Sequence, residues 1–308
     1  MSILSSIPAS ELNGARVIVT GASGFIGLNL VRELMSLGAS VMVIDRIQPS
    51  GRIPGVEFEW ADLRHLDQIY EADFLIHLAA ITNAGYAERH PLDTYEVNVL
   101  GTVNLLNHVN IKNRVLFPST ALVYRASELP LSENAETELS ATYALSKNIG
   151  ESIVKSLCGR MGVDYTIVRF FNVYGPGQLP MYIVPQVLRQ TAEEHRVEVR
   201  NGSVQRDLLF VDDCIEAVLK LVVTAGAANS TFNIGSGEMV SILDVAKAAV
   251  AASGDHTVKI VDQQQNIEYS PTAIMADIGK VKSTIDWYPK TNLTEGMARM
   301  WDAMKADK

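Results

Sequence analysis

Residues 16–45 constrain this chain more than any other stretch. They read RVIVT, GASG, FIGLNLVRELMSLG, A and SVMVID. The first and last of these pieces are β-branched apolar runs of the length and composition of buried parallel strands. The long middle piece carries apolar residues at helical spacing and stops at Gly38. A strand, a helix and a second strand in such close succession form a right-handed crossover that returns parallel to its start. Similar runs follow at 74–80 (FLIHLAA), 114–119 (RVLFPS) and 165–172 (YTIVRFFN). The helical segments DTYEVNVLGTVNLLNHV and TYALSKNIGESIVKSLCGRMG lie between them. This alternation specifies an α/β fold with a doubly wound parallel sheet.

The texture changes after Asn172. GPGQLP is a Gly/Pro loop, followed by the helix IVPQVLRQTAEE, the polar stretch RNGSVQRD and another helix from about Asp212. Short strands, loops and the helix SILDVAKAAVAAS occupy the rest. The division expected is a nucleotide-binding domain over 1–172, to which 204–234 returns, and a smaller lobe over most of 173–308. Such a lobe covers the C-terminal edge of the sheet, where ligands bind in these folds.

Gly21, Gly24 and Gly27 stand three apart in TGASGFIG, between the first strand and the first helix. A plain strand-to-helix turn also needs glycine. In a dinucleotide site, however, one glycine makes the turn, one admits a pyrophosphate and one lets helix pack on strand. The helix N-terminus then offers free N–H groups to the phosphates. An acidic residue is expected at the end of the second strand, and Asp45 is there. Its carboxylate suits ribose hydroxyls and repels a 2′-phosphate, which points to NAD, while the neighbouring Arg46 pulls the other way.

In YALSK, Tyr143 and Lys147 are four apart and share a helix face. Free tyrosine is a poor base at neutral pH. A nearby ammonium favours its anion, and so does the positive ring of an oxidised nicotinamide. Such a pair can take a proton from a sugar hydroxyl. Thr120, at the end of a strand in FPSTALVY, can hydrogen-bond the same oxygen.

Bulk properties narrow the partners. The 26 Lys and Arg against 35 Asp and Glu leave a net charge of −9, which disfavours nucleic acid. No apolar run reaches the length of a membrane span. The start, MSILSSIPASELNG, has neither a basic segment nor a long apolar one, so no signal peptide is expected. Two cysteines, Cys158 and Cys214, fit a reducing cytoplasm. The six histidines have no ligand spacing, so no metal is expected and His77 reads as a core residue.

Taken together, these motifs resemble the extended short-chain dehydrogenase/reductases, specifically the NAD-dependent nucleotide-sugar epimerase/dehydratase family, over nearly the whole chain. The resemblance implies a Rossmann-like fold, NAD as cofactor and a homodimer through helices matching 93–108 and 142–158. Thr120, Tyr143 and Lys147 match the catalytic triad. The cofactor turn supplies Gly21, Ser23, Gly24, Phe25, Ile26 and Gly27, with Asp45 and Arg46 beyond it. Asp62 and Leu63 resemble the pair at the adenine, and Leu78, Ala79 and Ala80 the strand end lining the cofactor. Asn98, Ser119 and Phe170 join this set, together with Tyr143 and Lys147 themselves. On the substrate side the resemblance implies Thr82, Thr120, Asn172 and a diphosphate-binding Arg206. For Asn172 a turn-stabilising side chain, and for Arg206 a surface ion pair, are the plainer readings.

The chain also departs from that pattern. Ala121 and Leu122 stand where dehydratases carry Asp-Glu and decarboxylases a Glu, so neither reaction has its proton carrier. Arg125 replaces the glycine of VYG. NIEYSPTAIMAD (266–277) lacks the family's second diphosphate-binding arginine, and no arginine lies between Arg206 and Arg299. The activity expected is C4 epimerisation of a nucleotide-activated hexose or hexuronate through a transient 4-keto sugar. The rival is an NAD-dependent dehydrogenase or keto-reductase acting on a keto-deoxy sugar or sugar acid. A non-catalytic NAD-binding protein ranks last, because the triad is intact.

Overall fold

The computed structural model describes residues 9–47, 53–125, 130–263 and 274–306. Most of NIEYSPTAIMAD, from 266 to 273, lies outside the described residues. The architecture is a seven-stranded parallel sheet flanked by helices. Its strands are β1 (Arg16–Thr20), β2 (Ser40–Asp45), β3 (Glu57–Trp60), β4 (Tyr70–His77), β5 (Val109–Thr120), β6 (Asp164–Phe170) and β7 (Ser230–Ile234). Across the sheet they run β7-β6-β5-β4-β1-β2-β3, every pair parallel.

Side chains alternate along each strand, so β1 sends Val17 and Val19 to one core and Ile18 to the other. Val17 and Val19 pack with the helices Phe25–Ser36 and Val211–Val223. Ile18 joins Leu75, Leu105, Phe117 and Val154 on the opposite face. Both faces are covered, which is why the strands read as unbroken apolar runs.

Four elements differ from their sequence expectation. The strand expected at 114–119 runs from Val109 to Thr120. The one expected over 74–80 spans Tyr70–His77, so Leu78, Ala79 and Ala80 form the loop after it. The run 165–172 breaks at Phe171 into β6 and a short strand Asn172–Tyr174, which pairs with Leu208–Phe210 outside the main sheet. The helix expected over 93–109 is three pieces: Pro91–Tyr95, a π-helical turn Glu96–Leu100 and Gly101–His108. Of the returning segment, Ser230–Ile234 completes the main sheet, whereas Gln205–Arg206 pairs with Val240–Ser241.

The sheet order reverses between β1 and β4, and the loops after these two strands flank the crevice there. Across the sheet, the helix Thr142–Met161 lies close against β5. A Cβ on Gly150 would sit 2.5 Å from Cζ of Phe117, a fully buried ring. Only a glycine allows this approach, and the approach sets the height of Tyr143 and Lys147 above the sheet. Overpacking such a ring costs about 2–3 kcal/mol, against about 1 kcal/mol of helix propensity gained by alanine. Gly150→Ala is therefore expected to lose about 1–2 kcal/mol in urea unfolding; unchanged stability would show that the helix can rise off the sheet freely.

Candidate active site

The crevice begins at the glycine turn. Gly21 has φ of +70°, and a Cβ there would lie 2.5 Å from the backbone N of Ala79. Gly27 is equally confined, its Cβ position being 2.5 Å from Cα of Ala22. The turn of β1 is thus pressed against the loop after β4. Gly24, by contrast, is exposed and begins the helix Phe25–Ser36 with no side-chain cap. The first-turn N–H groups are left for an outside acceptor.

Asp45, at the end of β2, accepts from Ser23 N at 2.9 Å and from Ile47 N at 3.1 Å. A carboxylate has further acceptor capacity beyond these two bonds. Ser119 has a buried hydroxyl without a partner. An open glycine cradle, an uncapped helix end, an acid beside it and an orphaned hydroxyl together fit a dinucleotide such as NAD. Asp62 is bound to Arg64 through both carboxylate oxygens, and Leu63 is buried beside it. Arg46 and Thr82 are exposed, while Phe170 ends β6 half-buried.

Thr120, Tyr143 and Lys147 converge and are all buried. Burial pushes the Tyr143 phenol up, the Thr120 hydroxyl hydrogen-bonded to it pulls it down, and Tyr182 nearby pushes it up again. Burial also brings Lys147 down to about 7, with Glu151 opposing. The Lys147 ammonium lies 4.2 Å from the centre of the Phe117 ring. Glu151 in turn holds Arg169 in a fork, with Nε to Oε1 at 2.9 Å and Nη2 to Oε2 at 2.8 Å. Sequence reasoning missed Glu151, although Tyr143, Lys147 and Glu151 stand four apart on one helix face.

The π-turn coincides with contacts to distant segments. Asn98 turns inward, its Nδ2 donating to Ile81 O at 3.0 Å and Ser146 Oγ at 2.9 Å, while its Oδ1 accepts from Ile81 N at 2.7 Å. Ser146 donates to Tyr143 O at 2.8 Å. Asn98 therefore links the loop after β4 to the tyrosine's own turn of helix.

A second chain fixes His77. Thr102 gives its one hydroxyl proton to Asn98 O at 2.7 Å, so it accepts from His77 Nε2 at 2.9 Å. His77 Nδ1 then accepts from the Thr20 hydroxyl at 2.7 Å, and Thr20 accepts from Ala79 N at 3.2 Å. Each proton in this chain has one consistent place, with His77 neutral. Burial brings His77 down to about 3, and the Lys147 charge adds to the shift. No group of metal-ligating side chains occurs among the described residues, and none of their helices is long and apolar enough to cross a membrane.

On the substrate side, Asn172 donates to Asp207 O at 3.0 Å, a structural bond of the plainer kind. Arg206 donates to its neighbour's carbonyl, Gln205 O, at 2.7 Å, and among the described residues it has no ion pair. Burial lowers its pKa. Arg206 lines a groove of about 450 Å³ between the helix Ile183–Glu193 and the strand Arg196–Arg200. Just before that helix, Met181 Sδ accepts from Asn83 at 3.6 Å, and Tyr182 lies close enough to act on Tyr143. Arg125 is exposed and paired with Glu136 at 3.2 Å.

The NAD dependent epimerase/dehydratase family model matches residues 17–235. The chain is 30% identical over 309 residues to UDP-glucuronic acid decarboxylase 4 of Arabidopsis thaliana, covering 92% of this chain and 67% of that one. It is 25% identical over 318 residues to the UDP-glucose 4-epimerase of Lactobacillus helveticus, covering 93% and 96%. Among solved structures, MoeE5 in complex with UDP-glucose and NAD is similar with a TM-score of 0.83 and 26% identity, over 95% of this chain and 99% of that one.

The neutral state of His77 has a measurable consequence. Its folded pKa lies below the unfolded value, so the unfolded chain takes up the proton first and stability falls as pH falls through the mid-sixes. The stability gap between wild type and His77→Asn is expected to narrow by about 2 kcal/mol from about pH 7.5 to about pH 5 in urea unfolding. A gap independent of pH would mean that His77 is not held neutral.

Proposed function

The chain belongs to the NAD dependent epimerase/dehydratase family, and from that premise we propose that it is an NAD-dependent epimerase inverting C4 of a nucleotide-activated hexose or hexuronate. The observation that carries this reading is the Tyr143 phenol bonded to Thr120, one helical turn from Lys147, with no carboxylate following. Ala121 is buried and Leu122 exposed where a decarboxylase or dehydratase needs an acid.

NAD, when bound, supplies the acceptor and donor of hydride. The turn Gly21–Gly27 and Asp45 would hold it, with Asp62, Leu63, the loop 78–80, Asn98, Ser119 and Phe170 around it. Tyr143 takes the proton of the C4 hydroxyl and returns it. Lys147 steadies the phenolate by charge, and Thr120 orients the oxygen. The resulting 4-keto sugar must turn before it is reduced on its other face, which requires room at the reacting end. The short side chains of Thr82 and Ala121 suit that need. Asn172 and Arg206 hold the substrate, Arg206 at its diphosphate. In this reading residues 1–172 with 204–234 carry the cofactor, and the remainder of 173–308 shapes the substrate pocket.

We propose a cytoplasmic homodimer. Leu100 is 59% exposed on the helix suggested for pairing, and Val97 and Val103 are only half-buried in the single chain. Both cysteines are free and buried. Leu100→Lys is expected to yield monomer in analytical ultracentrifugation, whereas a wild type that is already monomeric overturns the dimer.

The test of activity uses purified enzyme. Denaturation is expected to release stoichiometric NAD, identified by mass. Fresh enzyme given UDP-, GDP-, dTDP- and CDP-sugars without added NAD is expected to interconvert two C4 epimers. Tyr143→Phe is expected to lower kcat by about 10²–10⁴. The second reading, a dehydrogenase or keto-reductase, is favoured by the arginine missing after Arg206; turnover only with NAD or NADH supplied and consumed would establish it instead.

A further inference from the structure

The groove beside Arg206 carries more than the one cation the family resemblance assigned. Its lining also includes Arg200, the last residue of the strand Arg196–Arg200. Among the described residues the Arg200 side chain makes no ion pair and no hydrogen bond. Three other cations are already paired. Arg196, on the same strand, holds Glu198 at 2.7 Å. Arg299, the next arginine after Arg206 in the sequence, is bound to Asp212 and lies 4.4 Å over the Phe210 ring. Lys290 holds Glu216 at 2.6 Å.

Two guanidinium groups that line one groove, neither paired with a carboxylate among the described residues, make a place for an anion. A single cation does not offset the desolvation of a diphosphate, whereas two forks can satisfy its oxygens bidentately. Much of the remaining lining suits a nucleoside, and Glu198, which also lines the groove, is already bound to Arg196. Gln186 offers an amide, and Ile183, Val199 and Ile242 offer apolar walls. The groove is linked through the chain to the reacting end. Tyr182, which acts on Tyr143, directly precedes Ile183, and Asn172 is bonded to the residue after Arg206.

We infer that Arg200 and Arg206 together clamp the diphosphate of the substrate, Arg200 standing in for the arginine absent from the C-terminal part of the chain. This rests on the nucleotide-sugar reading above and names a residue which that reading lacked. The strand position matters: β-pairing of Arg200 with Gln263 fixes its backbone beside the groove.

The test is calorimetric titration of the NAD-loaded enzyme with UDP, GDP, dTDP and CDP, then with the nucleoside of whichever diphosphate binds. Arg200→Gln is expected to weaken the diphosphate by about 10–100-fold and leave the nucleoside unchanged. Arg200→Lys is expected to recover part of the loss, since it restores charge without the fork. Arg189→Gln, whose partner Glu193 like itself lies outside the groove lining, serves as the control and is expected to bind like wild type. Bound NAD in each variant reports that it is folded. If Arg200→Gln binds the diphosphate like wild type while Arg206→Gln does not, the clamp is overturned and the nucleotide-sugar reading stands. If wild type binds none of the four diphosphates, the nucleotide-sugar reading falls and the clamp with it.

Discussion

A lysine ammonium held out of water is the constraint on which the rest of the site depends. Lys147 is buried against the face of Phe117, and burial alone drives it toward the neutral amine. Burial drives Tyr143 toward the neutral phenol as well. The two costs have opposite sign in charge, so the pair ionises most easily together, phenolate with ammonium. Glu151 biases the balance toward the ammonium, and its own burial is supported by the fork to Arg169. His77 completes the arrangement by staying neutral. A second cation beside Lys147 would repel it, and the fixed protons of Thr20 and Thr102 leave no partner for another N–H.

These groups meet because the backbone comes unusually close at two places. At the sheet's switch point, Gly21 lets the turn of β1 touch the loop at Ala79, which brings the helix end at Gly24 beside Asp45. On the far side of β5, Gly150 lets the helix of Tyr143 settle on Phe117. Both contacts involve backbone or a buried ring, so neither yields to a small side-chain adjustment. The glycines act at opposite ends of one crevice, one setting the cofactor side and the other the reacting side.

Much of this was legible in the sequence because it is local. The glycine spacing, the acid closing β2 and the Tyr-Lys pair on one helix face each depend on residues within a few turns of one another. What escaped depends on contacts between distant segments. EFEW (57–60) forms the edge strand β3, half in solvent, so it lacks the apolar run of a central strand. The π-turn at 96–100 forms because Asn98 binds Ile81, 17 residues away. Nothing in DTYEVNVLG marks that partner. Glu151 was visible as a third residue of the helix face, but its role appears only with Arg169 from β6. Arg200 sits in an ordinary alternating strand, RVEVR, and only the fold shows that it lines the same groove as Arg206.

The same dependence on distant contacts explains how the two ends of the proposed substrate are held in register. Asp207 is fully buried, and burial pushes its carboxyl up. Four bonds oppose this, from Ser236 N at 2.6 Å, Ser236 Oγ at 2.7 Å, Gly237 N at 3.1 Å and Ala276 N at 3.0 Å. A carboxylate with that many donors stays ionised and does not move without losing several charge-assisted bonds. Its carbonyl meanwhile accepts from both the backbone and the side chain of Asn172. Arg206 precedes it by one residue, and Asn172 follows β6 by two. Through Asp207, then, the groove with its two arginines is tied to the end of the sheet strand that runs beside Thr120. A pocket in which a keto sugar must rotate needs its diphosphate anchored at a constant distance from Tyr143. This carboxylate supplies that constancy without touching the substrate.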